Sequence, residues 1–288
     1  MANLSEIIAR KNQNDEQWKA QKQAERENAA AMQDAGMEEI SSNPDAYVRY
    51  LEIQGDNPSY SAGNIALAML QNPNITQFGT VERWRTLGRN VPEGERRKGV
   101  QIFSRASFGK GYSLVAAYDI SQTTGREIKK TELQDGSPAM ESALSTLLNY
   151  SIVPVVVDTE MDVPAFYDEE KLELAISPNY PDGEAFAAIA AEVAHSRFHA
   201  KGTNAQYNRS ESELDAQSVS YILCKRLGIK RDLPDLTGLP QLYSGWTPQE
   251  VRQALDTVQN MSKKMVSSIE QSITPQQHTR GQAKRPAR

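Results

Sequence analysis
The chain has 288 residues, 39% hydrophobic and 24% charged, with a formal net charge of -5 and a mean hydropathy of -0.61. That length holds two ordinary domains or one large one, and the polarity points to polar helices or tails around a folded centre. No apolar run approaches the roughly 18 residues of a spanning helix, residues 1–28 carry no apolar signal core, and a single cysteine, Cys224, excludes an internal disulfide. A cytoplasmic protein with no membrane partner is expected.

Residues 4–40 read as a polar helical arm (domain range 1–45), with Ile7, Ile8, Trp18, Met32 and Met37 as sparse apolar points. Asn43-Pro44 opens a second helix to Gln54, and Ser61 to Leu70 reads as a third, stopped near Asn72-Pro73. Beyond residue 75 the character changes. Short β-prone runs, Val100 to Phe103 and Leu114 to Tyr118, alternate with glycine-rich turns, so that 46–124 forms a small α+β module. Within it residues 81–110 hold eight basic side chains against three acidic ones, a local +5 inside an acidic chain.

That segment brings Trp84, Arg85, Arg89, Arg96, Arg97 and Lys98 together, with Phe103, Phe108 and Tyr112 as further aromatics. Cations neutralise phosphates and exposed rings stack on unpaired bases, so single-stranded DNA is the expected ligand. The competing reading packs Trp84 in a small core with the arginines solvating its surface.

Polar residues 125–139 form a linker. A second α+β module, 140–230, follows: a helix over Met140 to Leu148, strands at Ile152 to Val157, Val163 to Phe166 and Leu172 to Ile176, then helices Gly183 to Lys201, capped by Gly202, and Glu211 to Leu227, ended by Gly228. Residues 151–200 carry a local charge of -8, two basic against ten acidic side chains. A helical extension covers 231–273, begun by Thr247-Pro248-Gln249-Glu250, and a disordered basic tail covers 274–288.

The first long helix of this module reads Ala191-Glu192-Val193-Ala194-His195-Ser196-Arg197-Phe198-His199. Zinc peptidases place His-Glu-x-x-His on a helix, two histidines holding the metal while the glutamate activates bound water. Glu192 and His195 occupy two of those places, and Ala191 stands where the first histidine belongs. A shifted pair, His195 and His199, lies with Glu192 within about 60° on the helical wheel. Glu213 on the next helix is the candidate third ligand, Asp215 the alternative, and zinc the candidate metal.

Tyr60-Ser61, Asn64, Gln71, Pro73, Thr76, Trp84, Leu87-Gly88-Arg89, Val91, Gly94 and Lys98-Gly99-Val100 resemble the N-terminal domain of ArdC-type antirestriction and LtrC-like proteins. Tyr118 to Thr123 resembles the segment closing that domain, and Ile152 to Gly228 is similar to the zincin-like metallopeptidase module that follows it. The resemblance covers roughly residues 46–230. It implies an accessory protein of a conjugative element or phage, with a single-stranded-DNA-binding domain ahead of a zincin-like one. It also implies that Glu192 matches the catalytic glutamate, His195 the second zinc histidine and Glu213 the acidic ligand. Ala191, and Gln217 where the family often has an acid, break the pattern and point to an inactive peptidase. Two further readings stand beside this one: an active metallopeptidase using His195, His199, Glu213 and Glu192, and a protein-interaction scaffold.

Overall fold
A computed structural model describes residues 3–105 and 111–274. Phe108, Lys110 and all but the first residue of the expected tail lie outside the described residues. The helices and strands follow in chain order: α1 (Leu4–Ser42), α2 (Pro44–Asp56), α3 (Ala62–Gln71), β1 (Phe78–Gly79), α4 (Val81–Thr86), β2 (Arg89–Asn90), β3 (Val100–Arg105), β4 (Tyr112–Asp119), β5 (Thr124–Gly125), α5 (Pro138–Leu148), β6 (Val155–Val157), β7 (Ala165–Asp168), β8 (Glu173–Ile176), α6 (Asp182–His199), α7 (Arg209–Leu227), α8 (Leu239–Leu242) and α9 (Pro248–Ile273). The class is α+β, as expected, with more helix than sheet.

Local chemistry sets the helix ends. Asn43 caps α2, its side chain accepting from Asp45 N with Pro44 in the first turn. Thr247 and Glu250 form a reciprocal capping box on α9, and Gly228, at φ +68°, is the left-handed cap of α7. The end of α6 differs from expectation. It stops at His199, and Ala200 and Lys201 already adopt left-handed conformations (φ 51° and 57°) before Gly202.

β1, β4 and β3 form an antiparallel sheet, β2 pairs with β5, and β6 runs parallel to β8, which pairs antiparallel with β7. The edge of β3 is closed by side chains, not by another strand. Asn64 exchanges hydrogen bonds with the backbone of Phe103 (2.8 and 2.9 Å), and Gln71 does the same with Gln101 (2.8 and 2.8 Å). Seven residues apart on α3, the two amides match the two-residue repeat of the strand. They block the pairing that an open edge invites.

A single cluster of buried side chains runs from Met37 and Ile40 of α1, through Tyr47 and Leu51 of α2, to Phe186 and Ile189 of α6, Leu223 of α7 and Ile269 of α9. Gly36 permits the close approach of α1 to α3: a Cβ there would meet Ala66 Cβ at 3.0 Å. Polar bridges join the same helices: Tyr47 shares a hydrogen bond with Ser218 (2.9 Å), and Tyr221 and Lys225 both donate to Glu52. A second, small cluster of Trp84, Val91 and Tyr118 lies under the glycine-rich layer. No helix among the described residues is long and apolar enough to cross a membrane.

Candidate functional site
α6 is rich in alanine, and this lets α7 pack closely against it; Ser220 of α7 donates to Ala187 O at 2.6 Å. The resulting interface buries Glu192 (7% exposed) and His195 (0%). Glu192 is fully engaged. Its carboxylate accepts from Arg209 Nη2 at 2.7 and 2.9 Å and from the Tyr167 backbone N–H at 2.8 Å. Arg209 also lies 4.8 Å over the Phe166 ring and donates to Tyr167 O. A carboxylate held this way is an ion-pair partner, with its lone pairs turned to a guanidinium in place of a reacting water.

The histidines point to different neighbours. His195 Nε2 lies 3.2 Å from Glu213 Oε2, and its Nδ1 lies 3.1 Å from the Tyr207 hydroxyl. The neutral tautomer with Nε2–H donating to Glu213 satisfies both contacts. That bond from His195 holds the Glu213 carboxyl down to about 2. His199 stacks on the Tyr207 ring at 4.6 Å, and its Nδ1 meets the Tyr167 hydroxyl at 2.7 Å. Burial pushes Tyr207 up to about 12, consistent with a hydroxyl that donates. The two histidines of the shifted pair thus have different partners, Glu213 and Tyr207 for His195 and Tyr167 for His199, with Tyr207 touching both rings.

The donor set therefore does not fit zinc. His195 Nε2 and Glu213 face each other, but Ala191 adds only a methyl group, Glu192 is tied to Arg209, and His199 turns to Tyr167. Among the described residues no group of three or more His, Cys, Asp or Glu side chains is arranged to hold a metal ion, where zinc sites use three or four. Asp215, the alternative ligand, is also corrected. It lines a different cavity, with Tyr243 and Trp246, and burial pushes its carboxyl up to about 7. Gln217 donates to Glu213 at 2.6 Å and accepts from Arg231, so a second guanidinium reaches this cluster through an amide. Sequence reasoning missed both Arg209 and Arg231; their only signal was a cation near the first turn of α7 and another just beyond its cap.

The expected DNA-binding residues separate into two groups. Trp84 is corrected to a core residue: 1% exposed, with its indole N–H donating to Tyr118 O at 2.9 Å. Arg89 is corrected likewise, because its guanidinium clamps Thr123 Oγ1 and O and Arg126 O at 2.7, 2.9 and 2.7 Å. Arg85, Arg96, Arg97 and Lys98 are exposed, Lys98 sharing its charge with Glu95 at 2.7 Å. On the outer face of the β3–β4 hairpin, Arg105 lies directly opposite Tyr112, and Phe103 opposite Leu114. Tyr112 is 59% exposed and Phe103 partly buried.

A small sheet layer with an exposed cationic and aromatic face, set on a helical body, and a closed polar cluster between two long helices define the architecture. That fold is shared with the antirestriction ArdC protein from plasmid R388. Its metal-free structure matches with a TM-score of 0.51 and 13% identity over 84% of this chain and 97% of that one. Its Mn(II)-bound structure matches with a TM-score of 0.51 and 12% identity over 85% of this chain and 99% of that one. No protein-family model matches the sequence, and no curated protein does either.

Proposed function
We propose that this protein is an accessory factor of a mobile genetic element, of the antirestriction kind, that binds single-stranded DNA through its glycine-rich layer. In this reading its second half is a zincin-like scaffold without peptidase activity. The observation that carries the reading is the outer face of the β3–β4 hairpin. It displays Tyr112 and Arg105 side by side, in the same layer as the exposed Arg85, Arg96 and Arg97. Exposed rings and unpaired cations are what a base-stacking, phosphate-neutralising surface needs. The likeness to ArdC supports the antirestriction setting, and the Arg209–Glu192 pair supports the scaffold role.

Fluorescence anisotropy with a labelled single-stranded oligonucleotide tests this. Replacing Arg85, Arg96 and Arg97 together by Gln is expected to weaken binding at least about tenfold and to flatten its dependence on salt, since fewer counterions are released. Tyr112→Ala is expected to cost about 1 kcal/mol or more through lost stacking. Equal affinity in the triple variant would sink the proposal.

A further inference from the structure
Asp215 lies two positions beyond Glu213 on α7, about 200° around the helix, and turns away from the histidines. It lines a cavity of about 540 Å³ between α7, α8, the turn after α8, and α9. Leu242, Tyr243, Trp246 and Ala254 form the apolar and aromatic part of the wall, and the exposed Glu211 adds a second carboxylate. Gly245, at φ +81°, makes the turn that brings Trp246 back to Tyr243, and the two rings meet edge to face at 5.3 Å. None of the lining residues is basic.

Two groups here lack partners. Among the described residues the Asp215 carboxylate has neither a hydrogen bond nor an ion pair, although its neighbour Glu213 has both carboxylate oxygens engaged and Gln217 both its amide nitrogen and its oxygen. Tyr243, 6% exposed, also carries an unpartnered hydroxyl. Native structures rarely leave a buried polar group such as the Tyr243 hydroxyl unsatisfied, and the half-buried Asp215 carboxylate, unpaired on the wall of the same cavity, favours a cation there. Aromatic walls beside it favour an organic cation over a hydrated metal ion, because a ring attracts a weakly hydrated guanidinium or alkylammonium.

We propose that this cavity binds an organic cation of the guanidinium or alkylammonium class, free or as the side chain of a peptide. Asp215 is its charge partner, Trp246 and Tyr243 hold its alkyl or planar part, and Glu211 draws it in from the rim.

The test is an NMR titration of the full chain, followed at the Trp246 indole N–H, which a Trp246→Phe variant assigns. The probes are arginine amide, its uncharged isostere citrulline amide, and a Gly-Arg-Gly peptide, all at mildly alkaline pH. Arginine amide is expected to shift the signal saturably, and citrulline amide to bind at least about tenfold more weakly. Tighter binding of the peptide would identify a polypeptide source, and equal binding a free cation. Asp215→Asn, isosteric and uncharged, is expected to weaken arginine amide binding about tenfold. Ala254→Lys, on the partly exposed wall, places an ammonium in the cavity and is expected to abolish it, which keeps the test decisive if Asp215→Asn does not fold. Equal binding of arginine and citrulline amides, undiminished binding in both variants, or no saturable shift would overturn the proposal.

Discussion

Glu192 and Arg209 form a buried ion pair at 2.7 Å, with side chains 10% and 25% exposed. Removing one member of such a pair leaves an uncompensated charge, whereas removing both does not. Arg209→Met should therefore cost about 3 kcal/mol in urea unfolding, and adding Glu192→Gln should restore a large part of it; a double variant no more stable than the single would refute the account. Zinc should likewise leave the melting temperature unchanged, because His195 Nε2 is bonded to Glu213 and, among the described residues, no group of three donors is arranged to hold a metal ion. A zinc-dependent rise, lost in His195→Ala, would show that the cluster opens to take the metal. Asp215 has the opposite character. Its carboxyl titrates near 3.8 when unfolded and is pushed up to about 7 when folded. The folded state thus holds the extra proton between those values, and stability falls as pH rises from about 4 to about 7. Asp215→Asn removes this penalty. It should stabilise the protein by about 2 kcal/mol at pH 8 and by little at pH 4, and a pH-independent difference would exclude the mechanism.

Elements were legible where their ends are written in local chemistry: Asn43-Pro44, the Thr247–Glu250 box and Gly228 all fall where the sequence places them. Strands β6 to β8 were legible only approximately. β7 runs over Ala165–Asp168, two residues beyond the expected Val163 to Phe166, because its position is fixed by pairing with β8 and by Glu192 accepting from Tyr167 N. Neither constraint is local. The roles of Trp84 and Arg89 were illegible for a related reason. An indole or a guanidinium looks the same in sequence whether it meets solvent or, as here, the backbone of residues 118–126. The long α1 divides in two. Leu4, Ile7, Ile8 and Trp18 are exposed, whereas Ala29, Gln33, Gly36, Met37 and Ile40 are buried against the body. Deleting residues 1–27 should leave stability within about 0.5 kcal/mol. A deletion reaching residue 40 removes Met37 and Ile40 from the core and should unfold the chain, as circular dichroism would register.

At the scale of the whole molecule, charge composition marks two regions, a basic stretch at 81–110 and an acidic one at 151–200, but packing ties residues on both sides of 125–139 into one body. α2 and α3, which precede the sheet layer, contribute Tyr47, Leu51, Ile65 and Ala66 to the same buried cluster as α7 and α9. Ala62 N donates to Asp256 at 2.8 Å, and Gln259 donates to Pro58 O at 2.6 Å. Separating residues 46–124 from the rest would expose that apolar surface and leave those polar groups unpaired, a cost well above the margin by which a domain this size is stable. Calorimetry should accordingly record one unfolding transition for the full chain, with matching calorimetric and van't Hoff enthalpies. Tyr47→Phe, which removes the hydroxyl bonded to Ser218 across α2 and α7, should lower that single transition by about 1 kcal/mol without splitting it. Two resolved transitions, with only the lower one moved by Tyr47→Phe, would mean that the helical contacts join two independently stable units.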